Sequence, residues 1–140
     1  SMRLLLLNPN MTVGMTEAMA RVANGVLSPE STLLPVTAET GFPYISSRAE
    51  AQVAGALVLD MIARHRAEVD AVVIAAFGDP GLLAARELFD LPVVGIAEAA
   101  MVSALLMGQR FSFVTFSVIF VSSVASDTFH PRMSSTSIVH

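Results

Sequence analysis

The sequence contains no cysteine, no lysine and no tryptophan. Without cysteine there is no disulfide, no thiolate nucleophile and no thiolate ligand for a metal. Without lysine no side chain can form a Schiff base, which excludes pyridoxal-phosphate chemistry. The three histidines, His65, His130 and His140, show no metal-ligand spacing. We therefore expect no resident metal and no amine-linked cofactor.

Charged residues are also scarce, at 14% of the 140 residues, and the net charge is −4. All eight basic residues are arginines, and no basic cluster is denser than Arg64-His65-Arg66. Because nucleic-acid affinity depends on concentrated positive charge, we expect no nucleic-acid partner. The longest uncharged run, Phe111–Ser126, is interrupted by serines and is shorter than the ~18 consecutive apolar residues of a membrane span. We therefore expect no membrane association.

The first residues bear on localisation. Ser1-Met2-Arg3 is typical of a cloning scar before a native methionine. The apolar run that follows, Leu4–Leu7, is too short for the hydrophobic region of a signal peptide. These features predict a cytoplasmic protein.

Hydrophobic residues make up 54% of the chain, enough to cover most elements on both faces. That is typical of a parallel sheet flanked by helices. Apolar runs and turn residues predict five strands: Leu4–Leu7, Ser31–Val36, Val69–Ala76, Leu91–Ile96 and Arg110–Phe116. Helical spacing, a capping box and an Asp-Pro helix start predict four helices, at about Met15–Val26, Ser47–Arg66, Asp79–Phe89 and Ala97–Met107. The alternation predicts an α/β fold with a doubly wound, mainly parallel sheet, helices on both faces and right-handed crossovers.

Two details of this prediction concern packing and domain organisation. Met15, Met19, Val22 and Val26 recur at helical spacing in the first helix, where the methionines are expected to fill the core. After Phe116 the chain becomes rich in serine, contains no glycine and loses helical periodicity. We therefore predict an α/β lobe over residues 1–116 and an atypical tail over 117–140, which is either native or the product of a reading-frame error.

In open parallel sheets, ligands bind beyond the carboxyl ends of the strands. Three segments follow predicted strands at that edge: Asn8–Thr12, Ala76–Pro80 and Thr115. Asn8 and Asn10 offer amide groups, Gly78 lets a main-chain N–H approach a ligand, and a helix starting at Asp79 would point its positive end there. Such groups suit a carboxylate, an imide or a ureido group. The alternative is structural, with Asn-Pro-Asn as a tight turn and Asp79 as a helix cap.

Other polar residues are weaker candidates. Glu98 follows a predicted strand end and is interpreted as a helix cap. Ser103 has no histidine or carboxylate at a motif spacing, so a serine hydrolase is not supported. The glycine-rich dinucleotide fingerprint is missing from the first strand–helix turn, which disfavours NAD and FAD. We therefore expect no cofactor.

Four motifs occur in one order along the predicted lobe: Leu-Asn8-Pro9-Asn10-Met-Thr12, Val-Val-Ile-Ala-Ala76-Phe-Gly78-Asp79-Pro80-Gly81-Leu, Pro92-Val-Val-Gly95-Ile-Ala-Glu98-Ala and Gly108-Gln-Arg-Phe-Ser-Phe-Val-Thr115. Together they resemble the Asp/Glu/hydantoin racemase superfamily, in particular its hydantoin and allantoin racemases. The resemblance covers most of this chain but only the first half of a typical family member. It implies a flavodoxin-like lobe and a cofactor-independent racemase built from two pseudo-symmetric lobes.

In such a racemase a cysteine from each lobe flanks the substrate's α-carbon. One thiolate takes the proton and the other thiol returns it on the opposite face. The first-lobe cysteine position is Ala76 here, which is not itself competent, and the second-lobe cysteine has no counterpart in this sequence. The residues implied in binding a hydantoin, allantoin or amino-acid-like substrate are Asn10, Phe77, Gly78, Asp79 and Thr115. We therefore expect a chain that keeps the pocket and is inactive as it stands.

Several alternatives remain at this stage. Ala76 is either a natural degeneration or an engineered replacement. The chain could instead be a non-catalytic module that binds a small molecule, or a homodimer in which the Ala76 ends of two copies face each other. A third alternative is a decarboxylase or cis–trans isomerase of the same superfamily. The expected partners are a small-molecule ligand and further copies of the chain, as a homodimer or a higher homo-oligomer.

Overall fold

The computed structural model describes residues 1–107 and the backbone of residues 110–112 and 121–123. One parallel sheet contains β1 (Arg3–Asn8), β2 (Thr32–Thr37), β3 (Ala71–Ile74) and β4 (Val93–Gly95), in the order β2-β1-β3-β4. The helices are α1 (Val13–Val26), α2 (Arg48–His65), α3 (Leu82–Leu88) and α4 (Ile96–Met107), with a 3₁₀ turn at Arg66–Glu68 after α2.

Helices cover both faces of this sheet, which confirms the predicted α/β fold. Leu5 and Leu7 of β1 are buried on the face covered by α2 and α3. Leu6 is buried on the opposite face, where it packs with Ala20 of α1. A strand covered on both faces forms an uninterrupted apolar run, which is why Leu4–Leu7 predicts a central strand.

The amino ends of β1 and β3 are joined by a reciprocal contact. The main-chain N and the Nη2 of Arg3 donate to the Asp70 carboxylate at 2.8 and 2.9 Å, and the Asp70 main-chain N donates to the Arg3 carbonyl at 2.7 Å. These bonds lower the pKa of Asp70 from 3.8 to about 2 and raise that of Arg3. The contact fixes the β1–β3 register, which starts at Leu4 opposite Ala71, at the end of the sheet remote from the predicted site.

The predicted capping box at the start of α2 is present in a shifted form. The Ser47 hydroxyl accepts a hydrogen bond from the Glu50 main-chain N at 3.1 Å, as an N-cap should. The Glu50 carboxylate, however, accepts from the main-chain N and the hydroxyl of Ser46 at 2.7 and 2.9 Å. Those two bonds from Ser46 hold the pKa of Glu50 below its ordinary value.

The face that α1 buries differs from the predicted one. Thr16 and Ala20 are buried, whereas Met15, Val22 and Val26 are 41, 72 and 83% exposed. Small residues at this face place α1 close to the sheet, and the Thr16 hydroxyl has a hydrogen-bonding partner that makes its burial possible. The expectation that Met15 fills the core is therefore wrong, while partly buried Met19 does pack against it.

Residues Ser1–Ile96 form one compact unit, and the chain from Ala97 belongs to a second. In the second unit β5 (Arg110–Ser112) pairs with β6 (Val121–Ser123) in an antiparallel ribbon. Arg110–Ser112, the described part of the predicted strand Arg110–Phe116, therefore pairs antiparallel and not as a strand of the parallel sheet, contrary to the prediction. The rest of that predicted strand lies outside the described residues. An apolar run specifies a strand but does not specify its pairing partner.

Helix α4 begins immediately after β4, close to its predicted start. Glu98 lies in its first turn rather than at the N-cap, a position where a carboxylate favours the helix dipole. Gly108, predicted to follow this helix, lies outside the described residues. No helix in the described part of the chain is long and apolar enough to cross a membrane.

Candidate functional site

The carboxyl ends of β1 and β3 meet at the point where the chain connections change direction. From β1 the chain continues into α1 on one face of the sheet, and from β3 into α3 on the other. The Ala75 main-chain N donates to the Leu7 carbonyl at 2.7 Å, so the two strand ends lie side by side. Such a topological switch point opens a crevice between the departing loops and is where open α/β sheets bind ligands.

Asn8, the last residue of β1, organises the first of these loops. Its side chain is fully buried. Its Nδ2 donates to Asn10 Oδ1 and Thr16 Oγ1, both at 2.9 Å, and lies 3.3 Å from the Thr12 carbonyl. Its Oδ1 accepts from the Asn10 main-chain N at 3.1 Å. Asn8 is therefore a structural residue, and the expectation that its amide is offered to a ligand is wrong.

Asn10 is held by this network in one orientation. Its Oδ1 accepts from Asn8 Nδ2 and from the Thr12 main-chain N, both at 2.9 Å. Its Nδ2 has only a weak contact with the Met15 sulfur, at 3.7 Å, among the described residues. Since an amide nitrogen carries two donors, Asn10 keeps donor capacity for a ligand.

The turn after β1 is also hydrogen-bonded to the loop that follows β2. The Met11 main-chain N donates to the Phe42 carbonyl at 2.8 Å, and the Thr12 hydroxyl donates to the Pro43 carbonyl at 2.6 Å. Gly41 makes this loop possible through a φ of +107°, a conformation that favours glycine. Thr12 consequently uses its hydroxyl outside α1 and gives that helix no side-chain cap.

Two consecutive turns connect β3 to α3. The Asp79 main-chain N donates to the Ala76 carbonyl at 3.1 Å, and the Leu82 main-chain N donates to the Asp79 carbonyl at 3.1 Å. In the second turn Gly81 has φ 77° and ψ 4°, close to the roughly +80° and 0° of a type II turn, for which Pro-Gly is the preferred central pair.

These turns overturn the prediction that a helix starts at Asp79. Helix α3 begins at Leu82, has Gly81 at its N-cap position and has no side-chain cap, while Asp79 adopts a left-handed φ of 51°. Asp79 is therefore not the N-cap residue. The helix therefore starts three residues later than predicted, at Leu82 rather than at Asp79.

The first turn exposes the groups expected to meet a ligand. Ala76 is half-buried, Phe77 is 37% exposed and Gly78 is exposed. Gly78 has a φ of +93°, and no atom lies within 4 Å of the place where its Cβ would be. Its main-chain N makes no main-chain hydrogen bond within the described residues. This N–H is therefore a candidate hydrogen-bond donor for a ligand.

Asp79 lies at the end of the next strand. A Cβ on Gly95, the last residue of β4, would overlap the Asp79 carboxyl group. The absence of a side chain at Gly95 therefore allows Asp79 to occupy its position. This contact joins the turn after β3 to the carboxyl end of β4.

The structure thus brings most of the predicted site to one edge. Asn10 and the Ala76–Asp79 segment follow neighbouring strand ends, whereas Thr115 lies outside the described residues. No cluster of three His, Cys, Asp or Glu side chains that could hold a metal occurs among the residues described. The edge offers hydrogen-bond donors, and Ala76 contributes no polar side chain to it.

Two threonines that sequence reasoning missed belong to this edge. Thr16 Oγ1 accepts from Asn8 and lies 2.7 Å from Thr37 Oγ1. Both threonines line a groove of about 380 Å³ between α1 and the outer strand β2. The sequence contained one signal for Thr16, which lies at helical spacing from Ala20 and Ala23 and so shares their face of α1. A threonine buried on that face requires a hydrogen-bonding partner. This groove does not include Ala76 or Asp79.

A parallel α/β lobe with amide and main-chain donors at its switch point is an architecture typical of proteins that bind small polar ligands. A model of one family, described as Asp/Glu/Hydantoin racemase, matches residues 4–131. The chain belongs to this family.

Individual relatives agree with that assignment. The chain is 38% identical over 115 residues to a hydantoin racemase of Pseudomonas sp. (strain NS671), and 36% identical over 116 residues to one of Paenarthrobacter aurescens. These alignments cover 81% of this chain and 46 and 49% of the relatives. The chain therefore spans about half the length of the curated relatives it matches.

Solved structures show the same relation. An allantoin racemase from Klebsiella pneumoniae superposes with a TM-score of 0.73 at 45% identity, over 76% of this chain and 44% of that one. An allantoin racemase from Pseudomonas fluorescens gives a TM-score of 0.77 at 34% identity, over 81 and 48% of the two chains. This chain therefore shares the fold of the matched part of these allantoin racemase chains.

Proposed function

We propose that the edge formed by Asn10 and Ala76–Asp79 binds a cyclic ureide of the hydantoin or allantoin type, and that position 76 is the place of the missing acid–base group. The observation that carries the proposal is a donor at each of two neighbouring strand ends. Asn10 Nδ2 has a described contact only with the Met15 sulfur, at 3.7 Å, and the Gly78 N–H makes no main-chain hydrogen bond within the described residues. The relatives, which include hydantoin and allantoin racemases, supply the ligand class.

The chemistry of such a ligand fits these donors. The hydrogen on the ring carbon beside the carbonyl is acidic because its removal gives an enolate. Donors fixed toward the carbonyl oxygen stabilise the developing negative charge, since they are already oriented and need no reorganisation. Asn10 and Gly78 perform this role in the proposal, and neither can remove the proton.

Proton removal requires a base beside the ring carbon, and Ala76 provides none. A thiol has an ordinary pKa of about 8.5, so a cysteine at this place is partly ionised near pH 8. The chain has no cysteine to supply such a thiolate. We therefore expect the chain to bind the ring and to leave its configuration unchanged.

The test compares the native chain with Ala76→Cys in deuterated buffer, using an enantiopure 5-substituted hydantoin and allantoin. A thiolate at position 76 takes the ring proton, exchanges it with solvent and returns a deuteron to the same face. We expect the proton signal of that carbon to disappear at least ten-fold faster with Ala76→Cys than with the native chain, while the circular dichroism signal of the ligand persists.

Ala76→Ser is the matched control, because a hydroxyl of similar size stays protonated near pH 8. Exchange no faster with Ala76→Cys than with Ala76→Ser contradicts the assignment of position 76. Loss of the circular dichroism signal along with the proton signal contradicts the proposal that this chain lacks a second base. A reaction without protein gives the spontaneous rate.

Binding is tested separately with Asn10→Asp in the native background. The carboxylate keeps the oxygen that accepts from Asn8 and Thr12 but removes the donor offered to the ligand. We expect hydantoin affinity, measured by calorimetry, to fall at least ten-fold, because the new charge also repels the carbonyl oxygen. Equal affinity for both chains contradicts the placement of the ligand at Asn10.

A further inference from the structure

The amide of Asn10, on which the proposed site depends, is covered by a side chain of α1. Asn10 is only 5% exposed, and its Nδ2 contacts the Met15 sulfur at 3.7 Å. A thioether sulfur is a weak hydrogen-bond acceptor, whereas a carbonyl oxygen is a strong one. A ligand carbonyl that replaces this sulfur therefore gives the amide a better partner than the one it has in the structure.

The Met15 side chain is held by few contacts. It is 41% exposed, and within the described ranges it is neither a member of a buried cluster nor packed against one. A methionine side chain is unbranched and has several rotatable bonds, so it changes conformation at little cost. Met19, one helical turn further along α1, differs because it packs against the cluster that contains Leu6 and Ala20. Of these two methionines, Met15 is the one that is able to move.

We propose that the Met15 side chain is a displaceable cover of the Asn10 amide, and that it withdraws when a ligand oxygen takes the place of its sulfur. This inference rests on the proposed function, and it makes Met15 a residue that determines which ligands enter. A ring carbonyl or a carboxylate replaces the weak sulfur contact with a stronger hydrogen bond. A ligand that presents only apolar atoms leaves the buried amide without a partner and is rejected.

The proposal gives an unusual sign for the effect of Met15→Leu. Leucine keeps the approximate volume and the apolar character of methionine, so the fold should tolerate it. It removes the sulfur, however, so the amide has no partner before binding and gains its bond to the ligand in full. We expect hydantoin to bind Met15→Leu roughly three-fold or more tightly than the native chain. General damage to the site would weaken binding instead.

The experiment measures the affinity of unsubstituted hydantoin by calorimetry, with far-ultraviolet circular dichroism to verify folding. Met19→Leu is the matched control, because it makes the same change on the same helix against the core cluster rather than against Asn10. Its affinity is expected to equal that of the native chain. Met15→Leu is also placed in an Asn10→Asp background, where no amide donor remains. There the substitution is expected to leave the affinity unchanged.

A second measurement follows the cover itself. The methionine methyl groups are labelled with ¹³C, and the two leucine variants identify the signals of Met15 and Met19. Addition of hydantoin is expected to shift the Met15 signal and to leave the Met19 signal in place. An unmoved Met15 signal on binding overturns the inference.

The affinities separate this inference from the proposed function. If the native chain binds hydantoin and Met15→Leu binds it equally or more weakly, the role of Met15 is overturned while the proposed site stands. A gain that persists in the Asn10→Asp background also overturns it, because the gain then does not pass through the amide. If neither the native chain nor Met15→Leu binds hydantoin, the proposed function is overturned, and this inference with it.

Discussion

Replacing the buried Asn8 side chain tests how the site is built. Asn8→Ala leaves the Asn10 main-chain N without its partner in a buried position and removes short bonds to Asn10 Oδ1 and Thr16 Oγ1. An orphaned buried N–H costs about 2 kcal/mol and each lost bond about 1 kcal/mol, so we expect the free energy of unfolding to fall by about 4 kcal/mol. That is a large part of the roughly 5–15 kcal/mol that stabilises a typical domain.

Urea unfolding followed by circular dichroism is the suitable assay, because the chain has no tryptophan and a single tyrosine. Asn24→Ala is the control, since Asn24 is an exposed asparagine on α1 where alanine favours the helix. The reasoning is refuted if the free energy of unfolding falls by less than about 1 kcal/mol for Asn8→Ala, or by no more than in the control. Removing a buried amide that makes all these hydrogen bonds should cost more than that.

Two further predictions concern the ends of the strands. The pKa of Asp70 is lowered from 3.8 to about 2 by Arg3, so the pair stabilises the fold above that ordinary value and this contribution is lost as pH falls toward 2. The urea concentration at the unfolding midpoint should fall as the pH decreases through this window, and it should fall less for Asp70→Asn. An equal decrease in the two proteins contradicts this prediction. Gly95→Ala should destabilise the fold by about 2 kcal/mol through overlap with Asp79, and the penalty should vanish in an Asp79→Gly background; an unchanged penalty contradicts the contact.

The sheet could be predicted from local sequence because its strands are covered on both sides. The run Leu4–Leu7 and the run before Ala76 are uninterrupted, and each corresponds to a central strand of the observed sheet. Antiparallel pairing of Arg110–Ser112 could not be predicted in the same way. The same apolar run satisfies either pairing, and the choice depends on a partner distant in sequence.

The start of α3 shows a conflict between two local signals. Asp79-Pro80 is a favourable N-cap and first helical residue, whereas Pro80-Gly81 is a favourable centre of a type II turn. The turn prevails in the structure, and close packing explains why. Gly81 lies against the Gly55 backbone of α2, so close that a Cβ would come within 2.9 Å of the Gly55 carbonyl oxygen. That contact between segments distant in sequence cannot be read from either motif.

The two asparagines of the first turn could not be distinguished by sequence because both have the same chemistry. Their roles differ through burial and partners: Asn8 uses its amide on Asn10, Thr12 and Thr16, and thereby fixes the donor direction of Asn10. The burial of Thr16 in α1 follows from the same network. The polar residue at position 16 of α1 is thus explained by a hydrogen bond to a strand residue eight positions earlier. The spacing of apolar residues along the helix does not reveal that bond.

The architecture of this edge shows which contacts hold the groups of the proposed site in position. The turn after β3 is held by the carbonyl of residue 76, by positive φ at Gly78 and by Asp79 against Gly95. The turn after β1 is held by Asn8 and by the loop after β2. None of these contacts uses the side chain of Ala76. We therefore expect the donors of the proposed site to stay in position when residue 76 is replaced by cysteine or serine.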